Sequence, residues 1–473
     1  MPPLVDRYGL QLSTRSQESA DHYVEGVDRL LAYSVRIQEP LEASIAADPN
    51  FALARAALAN FHFYRGEMER ARARAGEAVT LTSAATPRER AHIEIIQLMV
   101  TGKASKALPL IDAHLRDYPR DALVLLHRSG WTFYNGGVQK REAMFELFDP
   151  LAPVYGDDWW FLTWYAFSHH EIDRIEEART LAARSLEIRR DNSNGVHAMA
   201  HVHFESGESD SGSDFMRDWL ADHPQRGHFH THLSWHHALF ELDRGRPTDA
   251  LAIYDDAIAP QEGEITSPFG ALADGASFLW RCRLYGVAPA GLPWQEIAEL
   301  ATSAFPKAGT AWVDAHKGIA LAALHDDEGV DALLDGLRAA ADRGHPTAGL
   351  VVAPVVEAMR AFAHERYDEA ADGLESVHDL LVSLGGSNAQ RDVFEETLAE
   401  AYLRSGRYDK AQAFLSERLG RRTTARDLFR MGRAQRAQQD PASDATLQRA
   451  AALWADADAK SPETQELVAL AAV

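Results

Sequence analysis

Small and apolar residues recur along this chain in a fixed order. An alanine sits inside one amphipathic stretch, a glycine or other turn former follows, and a second alanine opens the next stretch twelve residues on. Ala59 with Ala71, Ala166 with Ala178, Ala238 with Ala250, Ala320 with Ala332, Ala358 with Ala370 and Ala399 with Ala411 all obey this rule. The second alanines fall at 71, 107, 143, 178, 250, 332, 370 and 411, so the intervals are 36, 36, 35, 72, 82, 38 and 41 residues. The two long intervals each hold two units, and Gly212 stands where the first of them hides its small residue. No stretch sustains period-two alternation between turn formers. The pattern therefore predicts an all-α chain of antiparallel helix pairs. Each crossing needs a small residue, because a larger side chain forces the two axes apart.

Helix pairs at this period resemble tetratricopeptide repeats. Pro119 and Pro224 fall where that consensus expects proline. Each pair buries its apolar face on the next, which gives an α-solenoid, a superhelix with a concave groove or pocket. The pattern divides the chain into an N-terminal helical extension (1–40), tetratricopeptide-like repeats (41–259), an atypical helical unit with long loops (260–306) and C-terminal repeats (307–473). The atypical unit contains "PQEGEITSPFG", "GVAPAGLP" and "AFPKAG". A second irregularity, "LGGSNAQRDVF" at Leu384–Phe394, puts a Gly-rich turn before a helix. Loops that interrupt a solenoid are candidates for function, here as caps that seal the groove, or are tolerated insertions.

Histidine is concentrated in two segments, "NGVHAMAHVHFESG" and "HFHTHLSWHHALF", which hold eight of the 21 histidines. In a tetratricopeptide unit the first helix lines the concave side. Counting from the small residue of each unit puts His197 and His201 on that face, four residues apart and stacked. His232 and His236 form the matching pair one unit on. His203 is turned about 200° from His201 and points elsewhere, and His237 points sideways. Two such pairs suit zinc, iron or another borderline metal, although the glutamate of an H-E-x-x-H motif is missing. They equally suit recognition of a carboxylate or phosphate, or general base chemistry. Histidines simply packed between helices are the plain alternative.

Further polar residues occupy corresponding places. Asp274, Ser277 and Arg281 share one helix face, and Asp314 with His316 opens a later inner helix. Gln390, Arg391 and Asp392 stand at a helix start, where backbone N–H groups and the helix dipole favour an anion. Asp392 as a cap and Arg391 in a surface ion pair are the competing readings. The aromatic run "DDWWFLTWYAFSHH" reads mainly as helix packing, with His169 and His170 as weaker candidates.

Charge narrows the choices. Forty-eight basic against 70 acidic residues leave a net charge of −22. That argues against nucleic-acid binding, which runs on Lys and Arg neutralising phosphates, and against docking on an anionic membrane. No apolar run is long enough to span a bilayer, no signal-peptide pattern opens the chain, and a cytoplasmic location is expected. The one cysteine, Cys282, excludes an internal disulfide and Cys-based zinc sites. No P-loop, dinucleotide fingerprint, nucleophile elbow or EF-hand loop occurs, so the sequence assigns no cofactor.

Several segments together resemble the tetratricopeptide repeat protein 38 family: "VHAMAHVHFESG", "HLSWHHALFELDRG", "DGASFLWRCRLYG", "VDAHKGIAL" and "GGSNAQRDVFEETLAEAYLRSGRYDKA". The resemblance covers roughly 40–440. It implies an all-helical protein and no particular reaction. The positions matching the family pattern are His197, His201, His232, Trp235, His236, Asp274, Arg281, Asp314, His316, Gln390, Arg391 and Asp392. Asn388 departs from it, standing where histidine is expected. Two functions stay open. One is a His/Asp/Arg-lined pocket for a small anionic or metal-associated ligand, with hydrolytic or acid/base chemistry. In it His197, His201, His232 and His236 supply bases or metal ligands, and the other matching residues hold the substrate. The other is a scaffold that lays an extended peptide in the groove. A homodimer is compatible with either.

Overall fold

The computed structural model describes residues 3–223, 226–227, 229–260, 267–287 and 291–471. Pro224, His228 and parts of the two long loops in 260–306 lie outside the described residues. The chain is an α-solenoid of tetratricopeptide-like helix pairs. Among the described residues, strand-type pairing is limited to one bridge between Val5 and Gln11.

The small residues do what the pattern requires. Ala59, Ala71, Ala107, Ala166, Ala178, Ala238, Ala250, Ala320, Ala370, Ala399 and Ala411 are all fully buried. At Gly212 an added Cβ would lie 2.6 Å from the Phe240 ring, so even alanine is too large at that crossing. Two positions differ from expectation. Ala143 is only half-buried and Ala332 is exposed. The buried places beside them belong to Met144 and to Leu333 and Leu334. In those units the second helix turns a larger apolar side chain inward, so the alanine twelve residues on is coincidental.

Six inner helices position the site: α1 (Trp159–Glu171), α2 (Ser193–Glu205), α3 (His230–Asp243), α4 (Pro268–Leu284), α5 (Ala311–Ala323) and α6 (Asn388–Arg404). Two large apolar cores meet among them. One runs from Tyr8 to Phe167, the other from Val196 to Ala434.

The superhelix closes on itself. Arg422 caps the Phe204 carbonyl and lies flat over the Phe204 ring at 3.7 Å. Arg426 donates to the Leu242 carbonyl at 2.6 Å and to Asp243 at 3.0 Å. Asp458 N–H bonds Gly245 O at 2.9 Å, and Trp454 Nε1 bonds Asp243 O at 2.8 Å. The Gly-rich turn fills the inner side of this closed turn. Gly386 has φ +71°, and a Cβ there would sit 2.7 Å from the Trp312 ring. Glycine is therefore needed twice over, for its backbone and for the close approach. Lys140, buried on the opposite side, donates to the Gly386 carbonyl.

Candidate metal centre

Helical spacing builds the centre. His197 and His201 lie one turn apart on α2, His232 and His236 one turn apart on α3, and His170 near the end of α1. Adjacent inner helices bring the five rings together. Ring centroids are 4.5 Å apart for His197–His201, 4.6 Å for His201–His236, 4.8 Å for His197–His232 and 4.9 Å for His232–His236. His170 stacks on His201 at 4.7 Å with planes 8° apart. Phe167 walls the group from the first core, and Trp235 from the second. Phe229 covers the side of His197 and His232 at about 5 Å, with centroid distances of 4.9 and 5.0 Å. His197 is 9% exposed, while His170, His201 and His236 are fully buried.

Proton counting shows that these nitrogens do not satisfy one another. His232 Nδ1 lies 3.0 Å from both Asp274 oxygens, so it carries the donated proton. The Nε2 of a neutral His232 is then a bare lone pair. It faces His197 Nε2 at 3.1 Å, and His197 Nε2 also faces His201 Nε2 at 2.9 Å. A neutral imidazole nitrogen has one hydrogen or one lone pair, so at most one of these two contacts is a full hydrogen bond. Both nitrogens of His236, both of His170 and Nδ1 of His201 have no hydrogen-bond partner. Protonation does not resolve this. Burial, then the crowding of neighbouring imidazoles, holds His197, His201 and His236 well below the usual histidine range. Burial holds His170 at about 4. Leaving buried polar atoms unpaired costs about 1–3 kcal/mol each, and native folds rarely do so without a reason.

A cation at the focus would accept those lone pairs. One nitrogen each from His197, His201 and His236 lies within 4.8 Å of the others. Ligands about 2.0–2.1 Å from a tetrahedral zinc stand about 3.4 Å apart. The 2.9 Å separation of His197 Nε2 and His201 Nε2 reaches that with an outward shift of a few tenths of an ångström. The Asp274–His232 pair has the carboxylate–histidine arrangement that orients imidazoles at metal sites.

The other expected residues serve the surround. Trp235 Nε1 bonds Ser277 Oγ at 3.1 Å, which fixes the indole against His232 and His236. Arg281 is fully buried and committed to Glu396 at 3.0 Å and the Ala389 carbonyl at 2.9 Å. Asp314 accepts from the N–H groups of Gly309 and Thr310, which ties the preceding loop to the start of α5. His316 Nδ1 bonds the Trp312 carbonyl at 2.8 Å, and its Nε2 is unpartnered. Gln390 forms a capping box with Ser387 at the start of α6. Arg391 holds the Gly385 and Gly386 carbonyls and Asn388, and lies 3.8 Å from Glu171. Asp392 pairs with Arg418 at 2.5 Å and Arg422 at 3.0 Å. His203 turns away as its phase requires, to Glu208 at 2.9 Å.

Sequence reasoning passed over two carboxylates. Glu205 lies one turn beyond His201 on the same face of α2. Burial pushes its carboxyl up to about 7, against the pull of Arg422. Glu171, next to His170, is buried with Lys140 at 3.1 Å. Burial alone would raise it, but Lys140 and Arg391 outweigh that and hold it at about 2. The spacing His201–Glu205 was the available signal. A second histidine group, His92 and His114 about Asp121, also takes an Arg88 guanidinium at 2.9 Å. That cation already neutralises the Asp121 carboxylate, although His92 Nε2 and His114 Nδ1 are also left unpartnered.

No family model matches the chain. Solved structures similar to it include the human IFIT1 dimer with PPP-AAAA, 14% identical, covering 96% of this chain and 98% of that one, with a TM-score of 0.40. Yeast Tom70 is 12% identical over 92% of this chain and 99% of its own, with a TM-score of 0.31. A tetratricopeptide repeat protein from Parabacteroides merdae is 11% identical over 67% of this chain and 99% of its own, with a TM-score of 0.28. At such identities and scores these likenesses carry nothing about what the present chain binds.

Proposed function

We propose that this tetratricopeptide-like protein binds a divalent borderline transition metal, zinc foremost, through His197, His201 and His236. The observation that carries this is the convergence of buried imidazole nitrogens that cannot all be satisfied by one another. Three histidine ligands leave a fourth position for a small anionic ligand or a water molecule. His232, held by Asp274, then acts as the proton acceptor for hydrolytic or acid/base chemistry. Arg281, Arg391, Asp314, His316, Gln390 and Asp392 hold the walls rather than the ligand. The filling of the inner side by the chain's own Gly385–Asn388 turn favours a small ligand over an extended peptide. The same residues fit the resemblance to the tetratricopeptide repeat protein 38 family.

The test is metal content by mass spectrometry on protein purified without metal-affinity resin, before and after incubation with zinc. At least one equivalent per chain is expected, falling by at least one equivalent in His236→Asn. Wild-type protein that neither carries nor takes up zinc or cobalt would sink the reading.

A further inference from the structure

The first ion leaves a set of donors unused immediately beside it. His170 is fully buried, and neither of its nitrogens has a partner. His201 turns Nε2 towards His197, which leaves Nδ1 buried and unpartnered on the other side of the ring. Glu205 adds an oxygen, Oε1, that is buried and unpartnered. One donor atom from each of these three residues lies within 4.8 Å of the other two. They come from two neighbouring inner helices, so the fold, and no flexible loop, sets their spacing.

Resting on the metal reading above, we infer that His170, His201 and Glu205 form a second divalent-metal site, with the His201 ring bridging the two ions. The first ion takes Nε2 and the second takes Nδ1. A ring that binds metal through both nitrogens is an imidazolate: one N–H bond breaks, and its proton leaves to solvent. No electrons move. The donor set of two imidazoles and one carboxylate matches catalytic zinc-type sites. The charge also suits a cation. Glu171 beside His170 is already held by Lys140 and Arg391, and Arg422, the guanidinium whose charge pulls on Glu205, is committed to Asp392 at 3.0 Å. Asn388 hydrogen-bonds the Glu205 carboxyl, whose unpartnered Oε1 is left to face the ion.

Cobalt(II) titration of the metal-free full-length protein, followed by visible absorption and by bound-metal analysis, tests this. Wild-type protein is expected to bind two equivalents, and both Glu205→Gln and His170→Asn to bind one, with far-ultraviolet circular dichroism unchanged. His236→Asn is expected to keep at least the His170 and Glu205 ion, which separates the two sites. A wild-type endpoint of one equivalent, insensitive to Glu205→Gln and His170→Asn but lost in His236→Asn, would overturn the second site and leave the first standing. An endpoint of zero would overturn both. Because the wild-type endpoint alone decides between one and two, the inference stays testable even where a variant folds poorly.

Discussion

Replacing His201 by leucine is expected to abolish metal uptake while leaving the metal-free protein at least as stable as wild type. Those two results have opposite signs, and only a ligand role yields both. His201 touches His170, His197 and His236 and supplies nitrogens to each donor group. Without it the focus loses its central ligand. Zinc at a hundredfold excess over its dissociation constant stabilises the wild-type fold by about 2.7 kcal/mol. The leucine variant is expected to show no zinc-induced shift in its melting temperature. In the metal-free state, the wild-type ring buries an unpartnered Nδ1. Removing an unsatisfied polar group while keeping similar volume is neutral or stabilising. If His201 instead stabilised the metal-free core through its 2.9 Å contact with His197, the substitution would destabilise the fold by about 1 kcal/mol or more. Thermal unfolding with and without zinc separates these outcomes.

Arg418→Ala is expected to be the most damaging single change outside the centre. Arg418 is buried and reaches Asp392 at 2.5 Å, Glu395 at 2.7 Å and Asp427 at 2.9 Å. Asp392 and Asp427 are themselves buried. Removing the guanidinium leaves carboxylates facing each other away from water, at a cost of about 3–5 kcal/mol. Denaturant unfolding should show that loss. Adding Asp427→Asn to the variant should return part of it, because the two sites share one network and their effects are not additive. Additive losses would mean that the network is not coupled. Metal content per folded chain should stay unchanged, since Arg418 touches no histidine of the centre.

The repeat architecture was legible because its physical requirement is local. A helix crossing needs a small residue, and Ala71, Ala107, Ala178, Ala250, Ala370 and Ala411 are buried where the spacing puts them. It failed at Ala143 and Ala332, where neighbouring apolar residues take the buried place and the alanine merely shares the interval. The inward facing of His197, His201, His232 and His236 was legible for the same reason: the repeat phase fixes which face of an inner helix looks inward, although not that the four rings meet. Glu205 follows that phase too, one turn beyond His201, and a search for a fixed metal motif looked past it. The roles of Arg281, Arg391 and Asp392 were not legible. Arg281 meets Glu396, 115 residues on, through packing of helices far apart in sequence, whereas Arg391 folds back on the Gly385–Gly386 turn just before it and Asp392 meets Arg418 on the next helix. Helix phase alone encodes none of these partners.

The central claim is that metal sits on imidazole nitrogens inside this solenoid. X-ray absorption at the zinc edge of the zinc-loaded protein tests it most directly. The account predicts a first shell of nitrogen and oxygen at about 2.0–2.1 Å with no sulfur, and outer-shell scattering from at least three imidazole rings. A spectrum dominated by water and carboxylate oxygen, with no imidazole scattering, would place any bound zinc on the acidic surface and contradict the account.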